Sequence, residues 1–469
     1  MAADYDLIVV GGGTAGLVTA AGGAGLGARV ALVERHRLGG ECLWTGCVPS
    51  KALLACARAA ADVRAASAYG IHTSAIQIDF HQVMKHVRQA QLAIEPHDSP
   101  ERFRSLGVEV IHGTARFVSE RTLRVDQRTI SGRHIVIATG SRPAIPPIQG
   151  LDAVQYHTNE TIFELAELPP SIAVLGGGAA GVELAQAFAL LGSHVTVLEA
   201  ADRILPREDA ELVAVLAAEL DRAGITVKAG RQVQRVDNAG TQIRLHMEGE
   251  TVSADALLVA TSRESILDTL DLSAGGVACT ERALTLDDKL RTTARNVWAA
   301  GDVTGGPRFT HVADYQARIV LRNALFPLST SVNYDVVPRV TYTIPELASV
   351  GLTADEARRR VGNSVLVFNR NFGDLDRAVA DGRTTGLLKI VTTARGRILG
   401  GHVLGHHASS IIAEITLAMR EKIPLSRLAA TLHAYPTYAE AVKHSADAFM
   451  RSRFTGFAKT AAGWLVRRT

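Results

Sequence analysis

The sequence predicts an α/β protein in which one strand–helix–strand unit occurs twice and a domain of mixed strands and helices follows. Three observations carry that expectation. Residues 5–34 read YDLIVVGGGTAGLVTAAGGAGLGARVALVE: an apolar strand, spaced glycines, a small-residue helix and a second strand closing on an acid. Residues 171–199, SIAVLGGGAAGVELAQAFALLGSHVTVLE, repeat that pattern at an offset of 165 residues. From Pro338 the pattern changes, with strands such as 387–392 alternating with helices such as 410–421.

The first copy carries Gly11, Gly13, Gly16 and Glu34; the second carries Gly176, Gly178, Gly181 and Glu199, and Gly27 pairs with Gly192 at the same offset. One glycine triplet is weak evidence, because triplets are common in turns. Two, each between a strand and a helix and each with an acid 18 residues past its last glycine, indicate two Rossmann-like dinucleotide-binding domains. The first glycine makes the tight turn, the second lets a pyrophosphate approach the backbone, and the third lets helix and strand pack closely. Helix amides then face the phosphates. Glu34 and Glu199 are expected to accept hydrogen bonds from ribose hydroxyls. A carboxylate at Glu199 repels a 2′-phosphate, so the second site should prefer NADH to NADPH, with Arg203 four residues on as a partial counterweight.

Between the copies lies GGECLWTGCVPSK, residues 39–51, which places Cys42 and Cys47 five apart in a chain with four cysteines. In a regular helix their Cα atoms would stand roughly 8–9 Å apart, beyond the ~7 Å limit for a disulfide. A bridge therefore needs a loop or a distorted first turn, and Gly39, Gly40 and Gly46 supply that freedom. Pro49 is expected near the start of the following helix, whose amides favour a thiolate. The alternatives are two unpaired cysteines or half of a metal site, although zinc pairs are closer spaced and need further ligands. Cys56 and Cys279 lie in apolar runs without such spacing. A redox-active pair is the reading its surroundings favour, and no metal site is expected.

Composition bounds the rest. At 469 residues the chain should divide into two to four domains. A hydrophobic content of 47% suits a globular enzyme, and a formal charge of +3 is too small to suggest nucleic acid. MAADYDLIVV enters its strand at once, so no leader is expected, and no apolar run approaches the ~20 residues of a membrane span. A reducing cytoplasm is the expected compartment.

With these motifs the chain resembles the pyridine nucleotide-disulfide oxidoreductases, the family of glutathione reductase, lipoamide dehydrogenase and mercuric reductase. The stretches IVIATGSRP (135–143), NVWAAGDV (296–303) and VTYTIPELASVG (340–351) extend the likeness over nearly all the residues. The resemblance implies FAD on the first fold, with Thr139 and Gly140 nearby, and NAD(P)H on the second. It implies that Asp302 binds the ribityl chain, that Thr310 packs near the isoalloxazine, and that Lys51 lies at the flavin edge paired with Glu183. Cys47 becomes the flavin-proximal thiolate and Cys42 the exchanging thiol. The implied domains are an FAD-binding domain at 1–147, an NAD(P)H-binding domain at 148–273, a central segment at 274–337 and an α+β dimerisation domain at 338–469. The last forms a homodimer with a shared active site, to which Tyr435 and Glu440 would come from the partner subunit.

The chain departs from its relatives in HAYPTYAE (433–440), where Tyr435 stands in place of the proton-exchanging histidine of lipoamide dehydrogenase and glutathione reductase. A phenol near ~10 is a poor base at neutral pH beside an imidazole near ~6.5. His433, two residues away, is a candidate substitute or an ordinary surface residue. Tyr435 and Tyr156 both match active-site tyrosines of mercuric reductase, which makes Hg(II) a candidate acceptor. Against that, the carboxy-terminal cysteine pair and the amino-terminal metal-binding domain of mercuric reductases are missing from this sequence, which ends GWLVRRT. A dihydrolipoamide dehydrogenase, a quinone or small-disulfide reductase, and a flavin-binding redox sensor stay open. Trp44 replaces the usual asparagine and should reshape the acceptor side, while Ala179 replaces a gating tyrosine. Finally, Phe454, Phe457, Ala461, Trp464 and Leu465 could form a helical stripe among basic residues, packed on the dimer or resting on a membrane surface.

Overall fold

The structure, a computed structural model, describes residues 3–281, 283–454, 463, 464, 466 and 467. Two compact units emerge. The first comprises residues 1–176, 234–246 and 250–333, and the second residues 177–233, 247–249 and 334–469.

The first unit is built on β1 (Tyr5–Val10), α1 (Thr14–Gly25) and β2 (Val30–Glu34). Leu7, Ile8, Val9, Ala31 and Leu32 are fully buried, as expected of parallel strands covered on both faces. Next come α2 (Gly40–Trp44), α3 (Cys47–Ala65) and α4 (Phe80–Ile94). Residues 80–105 are helical in successive segments rather than one. Asp79 caps α4 by accepting from the Gln82 amide at 3.1 Å, Pro96 follows its end, and a short α5 (Pro100–Ser105) restarts with Ser99 as cap and proline in its first turn. Proline lacks the amide an unbroken helix needs and suits the first turn of a new one.

Strands β3 (Val108–His112), β4 (Ala115–Ser119), β5 (Thr122–Val125) and β6 (Arg128–Ile137) complete a sheet of order β3-β2-β1-β6-β5-β4. The strand Val297–Ala299 returns to pair in parallel with β6, which brings Asp302 to this sheet's carboxyl end. Ser141–Ala144 pairs antiparallel with Ser262–Ser265, and Ser171–Leu175 pairs in parallel with Ala256–Val259.

The second unit contains the helix Ala179–Leu191, which begins 165 residues after α1, and the parallel strands His194–Glu199 and Ile225–Ala229. It also contains a five-stranded antiparallel sheet in the order 339–341, 346–351, 398–405, 387–393, 365–371. Helices Ala408–Arg420 and Glu440–Ser452 cover it over a core that includes Phe372, Ile390, Ile415 and Phe449. Buried Lys389 of this sheet bonds Asp209 at 3.0 Å and Glu211 at 2.9 Å, at the start of helix Ala210–Arg222.

Among the described residues no helix is long and apolar enough to cross a membrane, and no group of three or more His, Cys, Asp or Glu is set to hold a metal ion. Of the carboxy-terminal stripe, Phe457, Ala461 and Leu465 lie outside the described residues.

Candidate active site

The two cysteines sit on either side of a helix break. Cys42 lies in α2, Thr45 closes that helix, and Gly46, at φ −129° and ψ −108°, opens α3 with Cys47 as its first residue. No disulfide joins them in this structure. Pro49 falls near the helix start as expected, in its third position: Gly46 takes the non-helical cap geometry, so the helix begins at Cys47. Cys47 thus stands directly at helix amides, which favour a thiolate. Its Sγ lies 3.3 Å from Thr310 Oγ1. The Cys42 thiol is pushed up, chiefly by its hydrogen bond to Cys47 and then by burial, so it holds its proton.

The glycine turn comes close to this dithiol. Gly40 has φ +55°, and a Cβ there would fall 2.6 Å from Gly13 Cα, so only glycine lets α2 approach the turn before α1. Trp44 anchors the break from within. Its ring is buried, Nε1 donates to Leu38 O at 2.7 Å, and the Arg37 guanidinium carbon stands 3.7 Å from the ring centroid. Gln91 Nε2 of α4 donates to Trp44 O at 2.7 Å. Trp44 is thus fixed by contacts to Leu38, Arg37 and Gln91.

A polar cluster flanks the pair. Arg263 is paired with Glu41, donates to Ser141 Oγ at 2.8 Å and reaches Asn159 Oδ1 at 3.3 Å. Asn159 Nδ2 donates to Glu41 Oε1 at 3.2 Å and to the hinge carbonyl Thr45 O at 3.1 Å. Asp302 accepts from Ser141 Oγ at 2.6 Å. Arg308 donates to the Arg263 carbonyl and keeps a buried Nε with no hydrogen-bond partner. Burial pushes the Glu41 carboxyl up to about 7, against the pull of Arg263 and with the charges of Asp302, Cys47 and Glu160 adding to the rise.

The two glycine turns are latched alike. Glu34 accepts from the Gly12 amide at 2.6 Å and the His36 amide at 2.7 Å; Glu199 accepts from the Gly177 amide at 2.6 Å and the Ala201 amide at 2.8 Å. Gly11 (φ +112°) and Gly176 (φ +115°) make the same turn. A Cβ on Gly16 would lie 1.8 Å from the Gly11 carbonyl oxygen, the close packing asked of the third glycine. Gly13 and Gly178 are the N-caps of their helices, with no side-chain cap and no acid in either first turn. Gly181 is buried in the second of these helices. The Arg203 guanidinium donates to the carbonyls of Leu205, Pro206 and Glu208 at 2.8–3.1 Å.

The remaining candidates fall as follows. Thr139 Oγ1 donates to Ile266 O at 2.7 Å, and Gly140 (φ +73°) has open space where a Cβ would be. Lys51 is half-buried in α3 with Nζ 3.4 Å from Ser50 Oγ, and Tyr156 is half-buried. In the second unit, buried Glu183 accepts from the Tyr342 amide at 2.8 Å. Tyr435 is 70% exposed and donates to Asp376 at 2.8 Å, which raises its phenol further from a useful base. Glu440 accepts from the Thr437 amide at 3.2 Å. His433 bonds Glu414 at 3.0 Å and the Thr431 carbonyl at 3.2 Å with its side chain nearly buried, the geometry of a structural histidine. The sequence reading passed over Glu41, Asn159, Ser141, Arg263 and Arg308. The acid in GGEC and the arginine in TSRES were their only signals.

A family profile described as pyridine nucleotide-disulphide oxidoreductase matches residues 5–317, and its dimerisation domain matches residues 337–446. A mercuric reductase of Streptomyces lividans is 37% identical, over 95% of this chain and 96% of its own length. One of Bacillus cereus is 35% identical, over 94% of this chain and 70% of its own length. A dihydrolipoyl dehydrogenase of Chlamydia muridarum is 34% identical, over 94% and 96%. Among solved structures, the Cu(II) complex of the HOCl-induced flavoprotein disulfide reductase RclA from Escherichia coli superposes with a TM-score of 0.86 at 30% identity, covering 96% of this chain and all of that one.

Proposed function

Because the chain belongs to the pyridine nucleotide-disulphide oxidoreductases, a family of FAD-dependent enzymes, we propose that it is a homodimer that draws electrons from NADH, passes them to a Cys42–Cys47 disulfide and delivers them to a soft metal ion such as Hg(II). The observation that carries this reading is the dithiol itself: two thiols across a helix break, one at helix amides beside Thr310, the other held protonated.

The residues present fit FAD. The uncapped α1 amides behind Gly11, Gly13 and Gly16 suit its pyrophosphate, and the open space at Gly140 leaves room along the cradle. Glu34 would take a ribose, Asp302 with Ser141 the ribityl hydroxyls, and Thr139 and Thr310 the flavin neighbourhood, with Lys51 at its edge. When bound, FAD supplies two-electron transfer between a nicotinamide and a dithiol. The chain's own part is to hold the acceptor sulfur of Cys47 as thiolate and to keep a proton on Cys42. Gly176, Gly178, Gly181 and Glu199 would hold NADH. The commitment of Arg203 to three carbonyls leaves Glu199 to repel a 2′-phosphate, which supports NADH over NADPH. Ala179 is exposed at the head of its helix, in keeping with an open nicotinamide side.

On the acceptor side, Tyr435 and Tyr156 favour a metal ion over a disulfide substrate that needs a base, and thiolates are the ligands soft ions select. The loop carrying Tyr435 also exposes Leu432, at 98%, which supports a partner subunit covering it.

Anaerobic titration with NADH tests the core of the proposal. About two equivalents per flavin should be consumed, with a long-wavelength charge-transfer band that Cys47→Ser abolishes. A panel of Hg(II), Cu(II), lipoamide, glutathione disulfide and menadione then ranks the acceptors. Fast lipoamide turnover would overturn the reading of Tyr435.

A further inference from the structure

Glu41 lies beside the dithiol and has no part in the scheme above. Its stem packs against Gly46, where a Cβ would come 3.2 Å from Glu41 Cγ, so the carboxyl hangs next to the residue before Cys47. One oxygen accepts from Asn159 and the other pairs with Arg263. The charged and titratable groups facing it come from four directions: Arg263 on strand Ser262–Ser265, Asp302 after the returning strand, Glu160 on the loop before residue 162, and Cys47 on α3. One cation thus opposes two carboxylates and a sulfur that becomes negative on reduction.

Resting on the reading of Cys42 and Cys47 as the redox couple, we propose that Glu41 is a positioning residue that takes up a proton when the neighbouring disulfide is reduced and so sets the pH dependence of that couple. The step balances as follows. A hydride equivalent from the reduced nicotinamide supplies two electrons and a proton, and the S–S bond breaks. Cys47 keeps the negative charge and Cys42 the proton. The new charge at Cys47 raises the proton affinity of Glu41, whose carboxylate is protonated from solvent. On reoxidation the two electrons leave to the acceptor, the S–S bond re-forms, and both protons are released. Arg263 and Asn159 hold the carboxyl in place in either state, and its displaced titration near neutrality makes the coupling felt at physiological pH.

The test is thiol trapping of the flavoprotein equilibrated in dithiothreitol redox buffers between about pH 5 and pH 9, corrected for the reagent's own protons. Each proton taken up per electron pair changes the reduction equilibrium by about tenfold per pH unit. The native protein should change by more than tenfold per unit in a window just below pH 7 and by tenfold above it. Glu41→Gln should show about tenfold throughout that range, and Glu41→Thr gives the same comparison without the amide, flavin absorbance reporting occupancy in each. Equal slopes in native and variant proteins would overturn the proposal. Failure to trap any Cys42–Cys47 disulfide would instead overturn the couple itself, and the proposal with it.

Discussion

The guanidinium carbon of Arg37 stands 3.7 Å from the centroid of the ring of Trp44, a residue that lies between the two cysteines in sequence. Arg88 approaches the same ring at 5.6 Å. Trp44→Ala should cost about 3–5 kcal/mol, the usual range for emptying a buried tryptophan site. Trp44→Phe keeps most of the packing and loses the bond to Leu38 O, at about 1 kcal/mol. Denaturant midpoints check both, and the flavin-reduction half-reaction of the Phe variant should stay close to native.

Coenzyme choice is tested at Glu199. Glu199→Ala should lower the ratio of kcat/KM for NADH over NADPH by about tenfold, roughly 1.4 kcal/mol. Arg203→Ala should leave that ratio nearly unchanged, because its donors already serve backbone carbonyls. A large change in the Arg203 variant would reopen the question of the counterweight.

Lys389 is one partner of a buried pair with Asp209, their side chains 10% and 7% exposed. Lys389→Met should cost about 3–5 kcal/mol by stranding the Asp209 charge, and adding Asp209→Asn should recover part of it. Burial works against the Lys389 ammonium, but its bonds to Asp209 and Glu211 outweigh that and raise its pKa. A raised lysine stabilises fully below its unfolded pKa of ~10.4 and loses that contribution as pH rises through the folded value. The native-to-variant gap should therefore be flat through neutrality and narrow only in strong alkali.

Glu356 behaves with the opposite sign. It closes a capping box with Thr353, accepting from that residue's amide at 2.9 Å, and this bond chiefly lowers its pKa. A lowered carboxylate stabilises above its unfolded pKa of ~4.3 and loses that as pH falls through the folded value. Glu356→Ala should cost about 1 kcal/mol at pH 7. Urea midpoints should show that gap closing as the pH falls below the ordinary carboxylate range.

Which parts of this molecule could be read from its sequence follows from how local their geometry is. The glycines and acids of both cradles were legible because a tight turn, a helix start and a strand end fix their spacing. Glu34 and Glu199 even repeat their bonds to the amides two residues beyond. Pro49 marked the start of the following helix to within its first turn; the exact first residue, Cys47, is set by Gly46, which caps by backbone geometry alone and leaves no side-chain signal. The pairing of Glu41 with Arg263 spans 222 residues and was beyond any local pattern. The commitment of Arg203 was hidden for another reason: spacing along a chain gives the reach of a guanidinium, not which carbonyls it meets.

The break at Thr45–Gly46 has a mechanical meaning. Because the two sulfurs ride on separate short and long helices, they can draw together or part by small torsions at one joint, as blades move about a pivot. The joint's carbonyl is gripped by Asn159, so an enzyme with that grip loosened should cycle its thiols with greater slack and poorer aim.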